Sequence, residues 1–310
     1  MASVGSIVGG AFALVRDRPG SVVAWGVTYI LGNLAIIFIA GLLAAGSMGF
    51  GATGDLPSLS GGFLVTMLLV YLGYFLLFAV LLNAVFRAVL RPDDRGFFSL
   101  RLGMDEFRML GLLLLVLIAS FVIMFIVQLL MTMVLSFLML ALGGGVMGGV
   151  VTVVVSLLYF GAIIWVGVRL SLLYPLTFYR RAITIDGTWA LTRGRFWTLF
   201  LSYLVVAVVF GVVFFALAWF TFGGMFATAA QSSQGVGPEE AGARAMMMFA
   251  MQFSAIPLGV KIGVGLLWGV LLAIVSTVFN AMLAVATREL LIDSGETPED
   301  EAYRSAEIFE

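Results

Sequence analysis

The sequence predicts an all-α membrane protein with six transmembrane helices, and three observations carry that prediction. Of the 310 residues, 62% are hydrophobic and only 11% charged, with a mean hydropathy of +1.16; a soluble domain carries about 25% charged residues. Uncharged apolar stretches recur along the chain, and a helix needs roughly 20 such residues to cross the hydrocarbon core. Basic residues collect almost entirely in the segments that a six-span topology places on one side.

The apolar stretches cover 21–46, 62–86, 109–168, 196–238 and 262–287. The first is longer than the 7–15 residues of a typical signal-peptide core, so it reads as a retained span. The 60 residues between Arg108 and Arg169 have the length of two or three spans. Gly143, Gly144 and Gly145 near the middle, followed by Gly148 and Gly149, favour one turn between two long helices. Charge decides between the counts. Six spans put 14 of the 16 basic residues, all but Arg244 and Lys261, on one side, which the positive-inside rule makes cytoplasmic. A third span in that stretch would move the residues from Arg169 to Arg195 outside and destroy the asymmetry. The expectation is a multi-pass protein of a bacterial inner membrane with both termini cytoplasmic.

Three segments resemble one another: FALVRDRPG at 12–20, FSLRLGMDE at 98–106 and WALTRGRFW at 189–197. The first and third share the pairs Arg16/Arg18 and Arg193/Arg195 at the same offset. Two span exits match as well, NAVFRAVLR at 83–91 and NAMLAVATR at 280–288. The expected unit is a short interfacial helix followed by a transmembrane hairpin, used three times, over about 6–91, 92–181 and 182–288. In each short helix, aromatic and leucine side chains enter the acyl boundary while arginines stay with anionic headgroups. Residues 289–310 hold eight acids and one arginine and read as a disordered acidic cytoplasmic tail. Tyr303, Ile308 and Phe309 would be its anchors on a basic partner.

The chain contains neither Cys nor His, which excludes thiolate nucleophiles, imidazole bases and the usual zinc, haem and iron–sulfur ligand sets. No cofactor and no metal site is expected. Met246, Met247, Met248 and Met251 in the outer segment EEAGARAMMMFAMQF are soft thioethers suited to copper(I), yet nothing beside them completes a site, so they read as the flexible apolar face of an outer amphipathic helix. Acid–base chemistry would fall on Asp17, Asp93, Asp94, Asp105, Glu106 or Asp186, where acids beside helix ends ordinarily cap and solvate. Lys261, the one lysine, lies where snorkelling explains it. An enzyme is not expected.

The stretch RLSLLYP at 169–175, followed by ALTRGRFW at 190–197, resembles the membrane-domain family fused to some bacterial glycerophosphodiester phosphodiesterases and its stand-alone relatives of unknown function. The resemblance implies a helical multi-pass membrane domain. It implies no phosphodiesterase activity, because the soluble catalytic domain of those enzymes has no counterpart here.

Arg169 has two readings. Residues 147–167 already suffice for a span, which makes Arg169 an interfacial marker and lays 170–178 along the leaflet, bent near Pro175. Alternatively the span continues to Arg180 and Arg169 lies roughly 16 Å deeper, where a lipid phosphate, Asn83, Asn280 or span-end carbonyls would have to satisfy it at a cost of about 2.5–3.5 kcal/mol. Arg169, Arg193, Arg195, Arg16 and Arg18 are the candidate lipid or anion contacts. Asn33, Asn83, Gln128 and Asn280 are expected to make hydrogen bonds between helices. The functional expectation is a non-enzymatic accessory or scaffold role in membrane organisation or a larger complex, with lipid handling or transport as the alternative. The expected partners are anionic lipids at the cytoplasmic face and a second membrane protein, without nucleic acid.

Overall fold

The computed structural model describes residues 2–47, 61–92, 99–100, 103–143, 145–232 and 237–296. Ten helices and no strands occur among the described residues: α1 (Val4–Asp17), α2 (Pro19–Ser47), α3 (Gly61–Leu90), α4 (Met104–Leu142), α5 (Val146–Leu170), α6 (Leu173–Arg180), α7 (Ile185–Leu191), α8 (Phe196–Ser232), α9 (Pro238–Ala255) and α10 (Leu258–Ser294). Six helical stretches are long and apolar enough to cross a membrane: α2, α3, α4, α5 with α6, α8 and α10.

Local chemistry sets the boundaries. Ser3 and Ser6 close a reciprocal cap at the start of α1, the Ser6 amide donating to Ser3 Oγ at 3.1 Å and the Ser3 amide to Ser6 Oγ at 3.0 Å. Arg18 leaves helical geometry, and Pro19 opens α2 at a position whose amide needs no partner. Gly143 takes φ +73° between α4 and α5, so the 60-residue apolar stretch is one hairpin, as its glycines suggested. The end of α5 breaks at Ser171–Leu172 rather than at Pro175. Proline blocks the turn before it, and as the third residue of α6 its missing amide falls where helical donors lack partners anyway. Gly295 at φ +82° stops α10, its amide and that of Glu296 returning to Ile292 and Leu291.

The core sits at one end of the bundle. Residues 82–90 of α3 and 281–287 of α10 are buried without interruption, beside Ile7 and Ala11 of α1. α1 packs on α10 and α8, and α6 packs on α3, α4, α7 and α10. The basic ends of the helices converge there, and "the basic end" names this region below. α6 is not laid on a leaflet surface as its apolar sequence suggested: Leu173 and residues 175–179 are buried among the other helices. The opposite halves are open, and nearly every residue of α4 from 117 to 141 is exposed.

Two expectations about the far end change. α8 takes up the apolar stretch 196–238 only as far as Ser232, where it ends. The Met-rich segment does form a helix, α9, but it packs on α8, with Phe249 against Phe222 and Phe226 at 6.2 and 5.9 Å between ring centres. Met246, Met247 and Met251 are exposed on it. Lys261 donates to the Ser254 carbonyl at 3.1 Å and stands 5.3 Å from the Phe253 ring, so it ties α9 to α10 besides reaching outward. Of the three similar segments, the first ends α1, the third spans the end of α7 and the start of α8, and the second runs into α4, whose first turn is Met104, Asp105 and Glu106. The disordered tail expected from 289 does not begin there: α10 runs on to Ser294, where Gly295 stops it, and Glu289, Asp293 and Glu296 are bonded to neighbouring elements. The rest of the tail, with Tyr303, Ile308 and Phe309, lies outside the described residues, as do Asp93 and Asp94.

Candidate functional site at the basic end

The helices of the basic end are locked by charge. Asn83, Arg87 and Arg91 stand four residues apart on α3 and therefore share a face. Arg87 Nη2 donates to Glu106 Oε1 of α4 at 2.7 Å and Nη1 to the Ser99 carbonyl at 2.6 Å, with both side chains of the ion pair almost wholly buried. Glu106 Oε2 accepts the Gly103 amide at 2.9 Å, so one carboxylate caps α4 and neutralises α3. Arg91 donates to the Phe178 and Tyr179 carbonyls at the end of α6, at 3.1 and 2.8 Å, and lies 3.7 Å from Asp105. The Phe178 ring faces both guanidinium groups, at 5.8 and 5.0 Å. Glu106 is thus neither solvated nor peripheral, contrary to the sequence reading of it as a solvated cap.

Two further pairs fasten the end of α10. Arg180 of α6 holds both carboxylate oxygens of Glu296 at 2.7–2.8 Å. Arg195 reaches Asp293 at 2.8 Å, and the same Asp293 oxygen accepts the Ala2 amide at 2.9 Å. A single α10 carboxylate therefore joins the α7–α8 turn to the first residues of the chain.

Between α1 and the ends of α3 and α10 lies a cavity of about 1070 Å³. Its wall carries Arg18, Arg91 and Arg288, the acids Asp17 and Glu289, and an apolar surface that includes Val89, Val285 and Ile292. Asp17 is engaged by Arg16 at 3.1 Å, and Glu289 accepts from the Ser6 hydroxyl at 3.3 Å. Among the described residues, neither Arg18 nor Arg288 has an acidic partner.

The predicted contact residues divide accordingly. Arg18 lines the cavity, Arg195 is neutralised by Asp293, and Arg16 and Arg193 are exposed on the rim. Arg169 lies elsewhere: its guanidinium stands against the Trp165 and Trp189 rings, at 5.4 and 5.1 Å, where the two rings meet edge to face at 5.3 Å, and Nη1 approaches the Trp189 carbonyl at 3.5 Å. Indole faces supply the electrostatic partner that no carboxylate provides. The intramembrane amides do not bond between helices among the described residues. Asn33 donates to the Tyr29 carbonyl of its own helix at 2.7 Å, Gln128 is exposed, and Asn280 lines a small cavity with Trp25 and Tyr29. Asn83 is fully buried, and neither polar atom of its side chain has a hydrogen-bond partner.

No family model, curated protein or solved structure matches the chain. The resemblance of residues 169–197 therefore stands on those residues alone. Sequence reasoning gave no pairing role to Arg87, Glu106, Arg91 or Phe178, and weighed Glu106 only as a capping acid. The signal for the first and third was present in the four-residue spacing from Asn83, a polar stripe on an otherwise apolar helix. Arg288 entered the sequence reading only as one of many basic residues, because its proximity to Arg18 depends on α1 folding back onto α10.

Proposed function

We propose that this chain is a non-catalytic integral membrane protein that gathers anionic lipid around its basic end and thereby serves membrane organisation. One observation carries the reading: exposed arginines and exposed aromatic side chains share one rim. Arg16 and Arg193 are exposed there, with Phe12 exposed one helical turn before the first and Trp197 exposed four residues after the second. Indole and phenyl rings favour the headgroup boundary, and each arginine near an anionic surface contributes about 1 kcal/mol. Arg87, Arg91, Arg180 and Arg195 are instead engaged by carboxylates of neighbouring elements and hold the helices together. The family resemblance at 169–197 agrees with a membrane domain that performs no chemistry of its own. Extraction in polymer discs, followed by headgroup analysis of the co-extracted lipid, tests the reading. Anionic headgroups should be enriched over the bulk membrane, and the enrichment should fall in the Arg16→Gln, Arg193→Gln, Trp197→Ala variant. A wild-type composition equal to bulk would sink it.

The positive-inside rule puts this end in the cytoplasm of a bacterial inner membrane, with both termini there. Because the chain has no cysteine, single substitutions Ser294→Cys and Ser254→Cys report orientation directly. An impermeant maleimide added outside should label the second and spare the first.

A second reading, the accessory or scaffold role, is favoured by Gln128. It is exposed within the uncharged stretch 109–168 of the α4–α5 hairpin, and no hydrogen bond to its side-chain amide occurs among the described residues. An amide facing hydrocarbon is costly unless another helix satisfies it, and a second copy offers a matching amide. Crosslinking in membranes should give a dimer in the wild type that Gln128→Leu abolishes; a wild type that stays monomeric defeats this reading.

A further inference from the structure

We propose that the cavity between α1, α3 and α10 is a saturable site for one phosphodiester amphiphile, with Arg18 and Arg288 on the phosphate. The inference rests on the lipid-contacting reading above and narrows it from a rim to a single occupied place. Size fits first. About 1070 Å³ is at the upper end of the roughly 300–1,000 Å³ of small-ligand pockets. That volume admits a headgroup, its glycerol and the first chain carbons, leaving the remaining chain in the bilayer.

Charge selects the headgroup. Arg18 follows the last turn of α1, Arg288 lies on α10, and both belong to the wall of this cavity. Guanidinium forks are the side chains best matched to phosphate oxygens. Arg91 is held by the α6 carbonyls and adds positive potential without turning to the ligand. Three arginines against Asp17 and Glu289 leave the wall one positive charge in excess. That complements a diester, which carries one negative charge, better than a monoester with about −1.5 to −2. The apolar wall formed by Val89, Val285 and Ile292 decides against a free anion, which would gain nothing from it.

The backbone keeps the site narrow. A Cβ at Gly10 would stand 2.8 Å from Val285 Cγ1, so α1 approaches α10 as closely as only glycine permits. Ser6, one turn earlier, fixes Glu289 and keeps that carboxylate off the arginines.

The test is native mass spectrometry of the full chain released from polymer discs, comparing wild type, Arg18→Gln/Arg288→Gln, Ala13→Trp and Arg244→Gln. Ala13 lines the cavity, and its replacement by tryptophan fills space while leaving every charge in place. One phospholipid per chain should survive the activation that strips the rest, in the wild type and in Arg244→Gln, whose side chain pairs with Glu240 far from the cavity. Occupancy should drop about tenfold or more in each of the other two, as expected when charge-assisted bonds or the space for them are lost. Undiminished occupancy in the double variant and in Ala13→Trp would overturn the site. Millimolar inorganic phosphate, added to the detergent-solubilised wild type, should leave the lipid bound; displacement would overturn its assignment to an amphiphile. The two readings fail separately. A disc lipid composition equal to bulk with one lipid retained defeats the rim and spares the cavity, whereas anionic enrichment without a retained lipid does the reverse.

Discussion

The two ends of this bundle are built from the same apolar alphabet and solve opposite problems. At the basic end, α3, α6 and α10 bury long unbroken runs, and α1 closes over them. In the α4–α5 hairpin, Phe121, Phe125, Phe137 and Leu140 point outward, the last with 84% of its surface exposed. Hydrophobicity cannot explain the difference, because lipid tails are as apolar as leucine and give helices no reason to associate. What distinguishes the packed end is small residues and paired polar groups. Ala281, Ala284 and Ala286 bring α10 close, Ala84 and Ala88 do so on α3, and the Arg87–Glu106 pair joins α3 to α4. Contact in a membrane follows from shape and charge.

The largest break in that contrast should come from Arg87→Met, which strands Glu106 as an unpaired buried carboxylate. Removing one member of a buried pair costs about 3–5 kcal/mol, whereas replacing both with apolar residues is often neutral. Thermal unfolding in detergent should therefore show a severe loss for Arg87→Met and near recovery for Arg87→Met/Glu106→Met. A double variant as damaged as the single one would mean that the Ser99 and Gly103 contacts, rather than the charges, hold α3 to α4.

Truncations sharpen the comparison at a smaller scale. Leu176 of α6 is fully buried, and Leu176→Ala should cost about 2–5 kcal/mol by leaving a cavity among α3, α4 and α10. Phe121→Ala removes a larger side chain that is 71% exposed, and as a surface change should stay within about 0.5 kcal/mol. Equal losses would show that the α4 face is covered in the membrane, which is the condition for the dimer proposed through Gln128.

These contrasts also show where the sequence was transparent. Six spans, the single turn at Gly143 and the helix in the Met-rich segment follow from length, charge and glycine placement, all local signals. The fate of α6 does not. Its sequence, LYPLTFYR, has the mixed polarity of an interfacial helix, and only the docking of α3, α4 and α10 around it makes Phe178 and Tyr179 a core. Arg87 and Glu106 were hidden for the same reason: each sits at a helix end, where a charge is ordinarily solvated, and burial came from the neighbours. The cavity was less legible still. Arg18 and Arg288 are 270 residues apart in the chain, and no periodicity links them.

Arg169 is expected to give the smallest effect and is informative for that reason. Its guanidinium lies against two indole rings, one on its own helix and one on α7, where a cation–π contact contributes about 0.5–1 kcal/mol at exposed sites and about 2 or more when desolvated. Because Arg169 is only half-buried, Arg169→Gln should cost about 1 kcal/mol or less and leave the cavity lipid in place. Trp189→Ala, which removes the α7 ring but keeps the charge, should cost more, since an indole and its packing against Trp165 at 5.3 Å are lost with it. If instead Arg169→Gln is the worse of the two, the charge itself is being held below the headgroups. The span that begins near 147 then continues to Arg180 with an obligatory anion beside Arg169, and the interfacial reading of this residue fails.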